Sequence, residues 1–112
     1  MNIVFRTGKL EKVCNNHKRL EREYGTRMAK LIRQRLYELR SANALSDLRT
    51  VPGPRCHELK GSRAGQLSVD LDHPYRLILE PADDPIPLRA HGGLDWTQVT
   101  AVRILEVADT HE

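Results

Sequence analysis

The chain has 112 residues, 39% of them hydrophobic and 29% charged, which excludes a disordered chain and leaves room for one domain with its own core. No apolar run approaches the roughly 20 residues that span a bilayer, and the opening "MNIVFRTGKLEKV" is too short in apolar residues for a secretory leader. Net charge is +3, but residues 1–65 hold 15 Lys/Arg against 6 Asp/Glu, and residues 66–112 hold 3 against 9. That asymmetry points to a basic surface suited to a polyanion, nucleic acid first, although solvated basic helices give the same count.

"NIVF" (residues 2–5) fits a first strand. A helix is then predicted over about 9–23, with Leu10, Val13, His17, Leu20 and Tyr24 at helical spacing. Gly25 breaks it, and Thr26 is placed to cap a second helix running to about residue 42. Met28, Leu31, Ile32, Leu36 and Leu39 form the stripe of that helix, with Arg27, Lys30, Arg33 and Arg40 largely on its other faces.

"RTVPGPR" (residues 49–55) is a rigid connection, followed by the strand-like runs "CHEL", "QLSVDL", "YRLILE" and "VTAVRILEV". "GSRAG" (residues 61–65) joins the first two as a hairpin, and "DHP" (residues 72–74) turns the second into the third. Alternation places Leu67, Val69 and Leu71 on one face with Tyr75, Leu77 and Leu79. The last run is apolar at both parities, so it belongs at the centre of the sheet, covered on both sides. Residues 81–98 form a long loop, in which Trp96 is expected to pack. The expected fold is α+β: an N-terminal strand and a two-helix hairpin on a mostly antiparallel sheet of four to five strands.

The face opposite the helices then carries Gln66, Ser68, Asp70, Arg76, Ile78 and Glu80. An arginine in the middle of an apolar strand is costly if covered, so Arg76 is either exposed, paired (with Glu58 or Glu80), or waiting for a ligand. His57 and Lys60 have opposite parity in an ideal strand, and only a twist or bulge before Gly61 brings Lys60 round. A histidine with Lys and Arg is a set that can cleave RNA through its own 2′-hydroxyl without a metal. The histidine moves the proton, and the cations neutralise the phosphate. The same residues also serve plain nucleic-acid binding.

Cys14 and Cys56 lack metal-like spacing and are expected as thiols rather than a disulfide. No Cys/His cluster suggests zinc, and no cofactor is expected.

Residues 48–81, "LRTVPGPRCHELKGSRAGQLSVDLDHPYRLILEP", resemble the central segment of HigB-type toxins of the RelE/ParE superfamily. Pro52, Gly53, Arg55, His57, Leu59, Lys60, Gly61, Arg63, Gly65, Ser68, Val69, Tyr75, Arg76 and Leu77 carry the likeness, and so does the closing "VRILEVADTH". The resemblance implies a toxin of a type II toxin–antitoxin module that binds the ribosomal A site and cuts mRNA during translation. It puts His57, Lys60 and Arg76 on catalytic positions, with Asp109 and His111 in a C-terminal cluster and Arg55 and Arg63 as RNA contacts. It also implies a helix-turn-helix, HigA-like antitoxin, through which the complex meets operator DNA; with neither a span nor a leader read in the chain, the cytoplasm is the expected location. Between Asp109 and His111 the resembling toxins commonly carry an aromatic, where Thr110 stands here. Two other readings stay open: a non-enzymatic gyrase inhibitor of the ParE type, and a degenerate toxin that acts only in autoregulation.

Overall fold

The structure, a computed structural model, describes residues 1–110. Five strands form one sheet in the order β1-β5-β4-β3-β2: β1 (Asn2–Phe5), β2 (His57–Glu58), β3 (Leu67–Asp70), β4 (Tyr75–Pro81) and β5 (Ala101–Asp109). β1 runs parallel to β5, and every other pairing is antiparallel. Three helices follow β1: α1 (Gly8–Cys14), α2 (His17–Tyr24) and α3 (Thr26–Ser41). None is long and apolar enough to cross a membrane.

The expected hairpin is present, but its first arm is in two pieces. The break falls at Asn15 and Asn16. The Asn15 amide closes α1 on Glu11 and Val13, and the Asn16 side chain caps α2 by accepting from the Arg19 amide at 3.0 Å. Asparagine offers the backbone this local alternative to a continuing helix. Val13 and Leu20 are still buried in phase, whereas His17 lies exposed and pairs with Glu21 at 2.7 Å. Thr26 does not cap α3. Gly25, at φ +86°, occupies that position, where a side chain other than glycine is strained.

Helices pack on one face of the sheet. Ile32, Leu36 and Leu39 of α3 meet Leu67, Val69, Leu77, Leu79, Val102 and Ile104 in the main core. β5 sits between β1 and β4, the interior place expected for it. Its register slips opposite Ile78/Leu79, so Ile78 faces Glu106, Leu79 faces Ile104, and Leu105 is the extra residue of a bulge. Leu105 therefore joins Leu59 and Ile78 in a small apolar patch on the far face. This explains why β5 reads apolar at both parities, although only one face is covered by helices. β2 is shorter than the predicted run, and residues 61–65 form a 3-10 turn, Gly61–Arg63, rather than a plain hairpin loop.

The long loop before β5 is tied down rather than loose. The Asp83 carboxylate accepts from the Thr100 amide, the Thr100 hydroxyl (2.7 Å) and the Ala101 amide (3.1 Å). Burial opposes ionisation of Asp83, but these hydrogen bonds outweigh it and hold the carboxyl below its usual range. Trp96 packs in the core as expected, donates to Glu58 Oε2 at 3.0 Å, and carries the Arg49 guanidinium 4.3 Å above its ring.

Candidate active site

Period-2 alternation sends one set of side chains from β2, β3, β4 and β5 away from the helices. Register aligns them in rows: His57 opposite Ser68, Ser68 opposite Ile78, Ile78 opposite Glu106, and Asp70 opposite Arg76, which pairs with Ala108. The Leu59–Ile78–Leu105 patch forms the floor at the middle of this face, and the charged groups surround it.

Arg76 is less exposed than Arg55 or Arg63. Its Nε lies 3.4 Å from Asp70 Oδ1, its Nη1 donates to Thr110 Oγ1 at 3.0 Å, and its side chain is only 19% exposed. The partner is thus Asp70, one strand across, and neither Glu58 nor Glu80. Glu58 accepts from Trp96, and Glu80 pairs with Arg103 at 2.8 Å. Thr110 is buried with its hydroxyl turned to Arg76. Where an aromatic would offer a stacking plane, this chain offers a hydrogen-bond acceptor.

Asp70 itself is fixed from three directions. Its amide donates to Pro54 O at 2.6 Å, and its carbonyl accepts from Arg35 Nε at 2.6 Å. Its second carboxylate oxygen lies 3.7 Å from Arg55 Nε. Arg35 reaches this carbonyl from α3. It is buried, bonded to Glu38 Oε1 at 2.8 Å, and its guanidinium lies in van der Waals contact with the place where a Gly53 Cβ would stand. Gly53 has φ +110°, so the Pro-Gly-Pro connection needs glycine there for its backbone as well. The rigid segment between α3 and β2 thereby docks on the charged corner of the sheet.

His57 is half-buried beside Ser68. Its Nδ1 lies 3.1 Å from the Arg55 carbonyl, which only accepts, so this bond puts the proton on Nδ1. Nε2 then carries the lone pair and faces the Ser68 hydroxyl at 3.5 Å, a long contact. The neighbouring Cys56 thiol is pushed up to about 12, by burial first, with Glu58 adding to it and Arg49 opposing. A thiol that stays protonated at neutral pH is a poor nucleophile.

The remaining expected residues are spread wider. Arg63 lies in the 3-10 turn and reaches over the face, with Nη1 3.1 Å from Gln66 Oε1 and 3.3 Å from Glu106 Oε2. Arg55 is 80% exposed and joins the cluster through Asp70. Lys60 is exposed at the start of the Gly61–Arg63 turn, beyond the end of β2, where strand parity no longer applies. Asp109 ends β5 opposite Tyr75, one residue out of step with Arg76. His111 lies outside the described residues. Asp70, Thr110 and Arg35 are the organising residues that sequence reasoning misses. The signal for Asp70 was its register across from Arg76, and for Arg35 its place within the apolar phase of Ile32, Leu36 and Leu39.

The family model described as the RelE-like toxin of the type II toxin–antitoxin system HigB matches residues 4–87, three quarters of the chain. The chain belongs to this family. The matched segment includes His57, Lys60, Asp70 and Arg76 and stops before β5. This HigB-like toxin also has the fold of a YoeB/ParE toxin from Agrobacterium tumefaciens, at 11% identity and a TM-score of 0.58, covering 99% of this chain and all of that one. It is similar as well to two Staphylococcus aureus structures, a YoeB–YefM complex (18%, 0.54) and a YoeB dimer (20%, 0.55), each covering 100% of this chain and 98% of theirs. At such identities the likeness concerns the fold. No curated protein matches the chain.

Proposed function

We propose that this HigB-like toxin is a ribosome-dependent endoribonuclease that cleaves mRNA in the A site, attacking the phosphate with the substrate's own 2′-hydroxyl and using no metal. The observation that carries this reading is the pairing, on the sheet face away from the helices, of a half-buried arginine held in place with an imidazole whose Nε2 is its accepting nitrogen. His57 Nε2 takes the 2′-hydroxyl proton as the oxygen attacks phosphorus. Arg76 neutralises the charge that grows on the non-bridging oxygens of the pentavalent phosphate. Protonation of the departing 5′-oxygen falls to the C-terminal pair, Asp109 and His111, or to Lys60, and the products are a 2′,3′-cyclic phosphate and a free 5′-hydroxyl. Arg55 and Arg63 contact flanking RNA. An antitoxin with a helix-turn-helix domain would neutralise this cytoplasmic toxin and carry the complex to operator DNA.

The test is a cell-free translation reaction with new mRNA 5′ ends mapped by primer extension. Wild type and Arg76→Ala are each run with and without ribosomes. Cuts within the reading frame that require ribosomes and vanish in Arg76→Ala are the expected result. A folded wild type that makes no cuts but blocks gyrase supercoiling would replace this reading with that of a non-enzymatic inhibitor.

A further inference from the structure

Two guanidiniums converge on one carboxylate at the edge of the site. Arg76 approaches Asp70 Oδ1 at 3.4 Å and Arg55 approaches Oδ2 at 3.7 Å. The two arginines are held very differently: Arg76 is mostly buried, whereas Arg55 is almost fully in water. Asp70 is the fixed point, because both its amide and its carbonyl are bonded at 2.6 Å, to Pro54 and to Arg35. The strand position that carries the carboxylate is therefore fixed when a second anion arrives. The arginines then divide their donors between the two anions.

We infer that Asp70 is an internal competitor for the RNA phosphate, an anion built into the site that sets how tightly Arg76 and Arg55 engage RNA. The inference rests on the nuclease reading, in which those arginines meet phosphate. A carboxylate and a phosphodiester each carry one negative charge and accept from guanidinium in the same manner. The 3.7 Å approach of the exposed Arg55 is the weaker of the two and yields first. Arg76 then shares its guanidinium between Asp70 and the incoming phosphate, so its attraction to RNA is offset in part by a weaker hold on Asp70. Such a site binds RNA below its full electrostatic strength and releases it more readily. Asp70 acts through the arginines and is a positioning residue rather than a catalytic one.

Asp70→Asn keeps the size of the side chain and both main-chain bonds while removing the charge. Binding is read by fluorescence anisotropy with a short, 2′-O-methylated RNA that cannot be cut, over a series of salt concentrations. Expected is binding about three- to tenfold tighter than wild type at low salt, with a log–log salt slope steeper by about one. Asp70→Glu, which keeps the charge, stays near wild type. In an Arg76→Gln background the same Asp70→Asn change yields little gain, because the competition has lost its object. Asp70→Ser serves as the second neutral variant should the amide disturb the sheet. Binding that is equal or weaker in a folded neutral variant, or a gain that persists without Arg76, overturns the inference. Cleavage read in parallel keeps the two claims apart. Tighter binding beside a wild type that never cuts mRNA sinks the nuclease reading alone, and normal cutting without tighter binding sinks the competition alone.

Discussion

Cations stand on both surfaces of this small protein, and the two sets are built differently. On the outer helical side, Lys30, Arg33 and Arg40 of α3 line an open cleft of about 750 Å³ together with Cys14 and Tyr37, and all three are exposed. Tyr37 itself is 66% exposed. On the sheet side, Arg63 and Arg76 are partly buried, and each is fixed by a carboxylate and a second side chain. Loose cations raise the local potential and attract any polyanion, with a strength that fades as salt rises. Held cations lose less freedom when they engage one phosphate, so they contribute to geometry and rate. The same residue type is therefore suited to two jobs, and its surroundings decide which.

The comparison breaks most visibly at Arg76. Arg76→Ala is expected to lower the single-turnover rate of ribosome-dependent cleavage by about a hundred- to a thousandfold, the range typical of a removed oxyanion donor, with the melting temperature little changed. Arg35 extends the series to a cation still more enclosed. Arg35→Ala leaves Glu38, with its side chain only 12% exposed, without its guanidinium and deprives the Asp70 carbonyl of its donor, so urea unfolding should show a loss of about 3 kcal/mol.

The two thiols compare the same two regions through pH. Burial is the first cause at both: it raises Cys14 beneath the helical cleft to about 11, against a smaller opposing pull from Arg40, and raises Cys56 beside the site to about 12. A raised thiol stays neutral in the folded chain at a pH where the unfolded chain has already ionised. Its contribution to stability is therefore complete below the ordinary thiol value of 9.0 and is lost as pH climbs from there toward about 11 for Cys14 and about 12 for Cys56. Urea midpoints measured across that window should fall less steeply for Cys14→Ala and for Cys56→Ala than for wild type. The smallest effect belongs to the outer surface. Replacing Lys30, Arg33 and Arg40 together by Ala should weaken RNA or ribosome binding only a few-fold at physiological salt, with the loss confined to binding and a shallower salt dependence.

Much of this architecture was legible in the chain because period and parity are local. Leu77 and Leu79 point to the helices and Arg76 points away simply because strand residues alternate, and that alternation survives folding. Glycines and prolines likewise marked the turns. What stayed hidden depends on register or on competition between neighbours. Asn15 and Asn16 interrupt a helix whose apolar phase continues across them, so periodicity reads straight through the break. Arg35 reads as solvent-facing by its charge, yet its position between Ile32 and Leu36 buries it. Asp70 becomes a partner of Arg76 only once β3 and β4 are aligned. The slip at Ile78/Leu79, which turns Leu105 outward, has no signature except an apolar run without alternation. The family resemblance supplied the site residues, while the carboxylate and hydroxyl that hold Arg76 came from the fold.

Strand order also bears on how the molecule comes into being. β5 is made last of the five strands, yet it lies between β1 and β4, and Asn2 waits for Ala101 as its partner. Contacts between segments so distant in sequence slow folding, because a long loop must close before any pairing rewards it. Until β5 emerges, β1 has no neighbour and β4 keeps an open edge. A chain interrupted before residue 101 would hold His57, Asp70 and Arg76 but neither Glu106 nor Thr110, the groups that steady Arg63 and Arg76. Assembly of the charged face is thus a late event in synthesis, completed only when β5 has taken its place between β1 and β4.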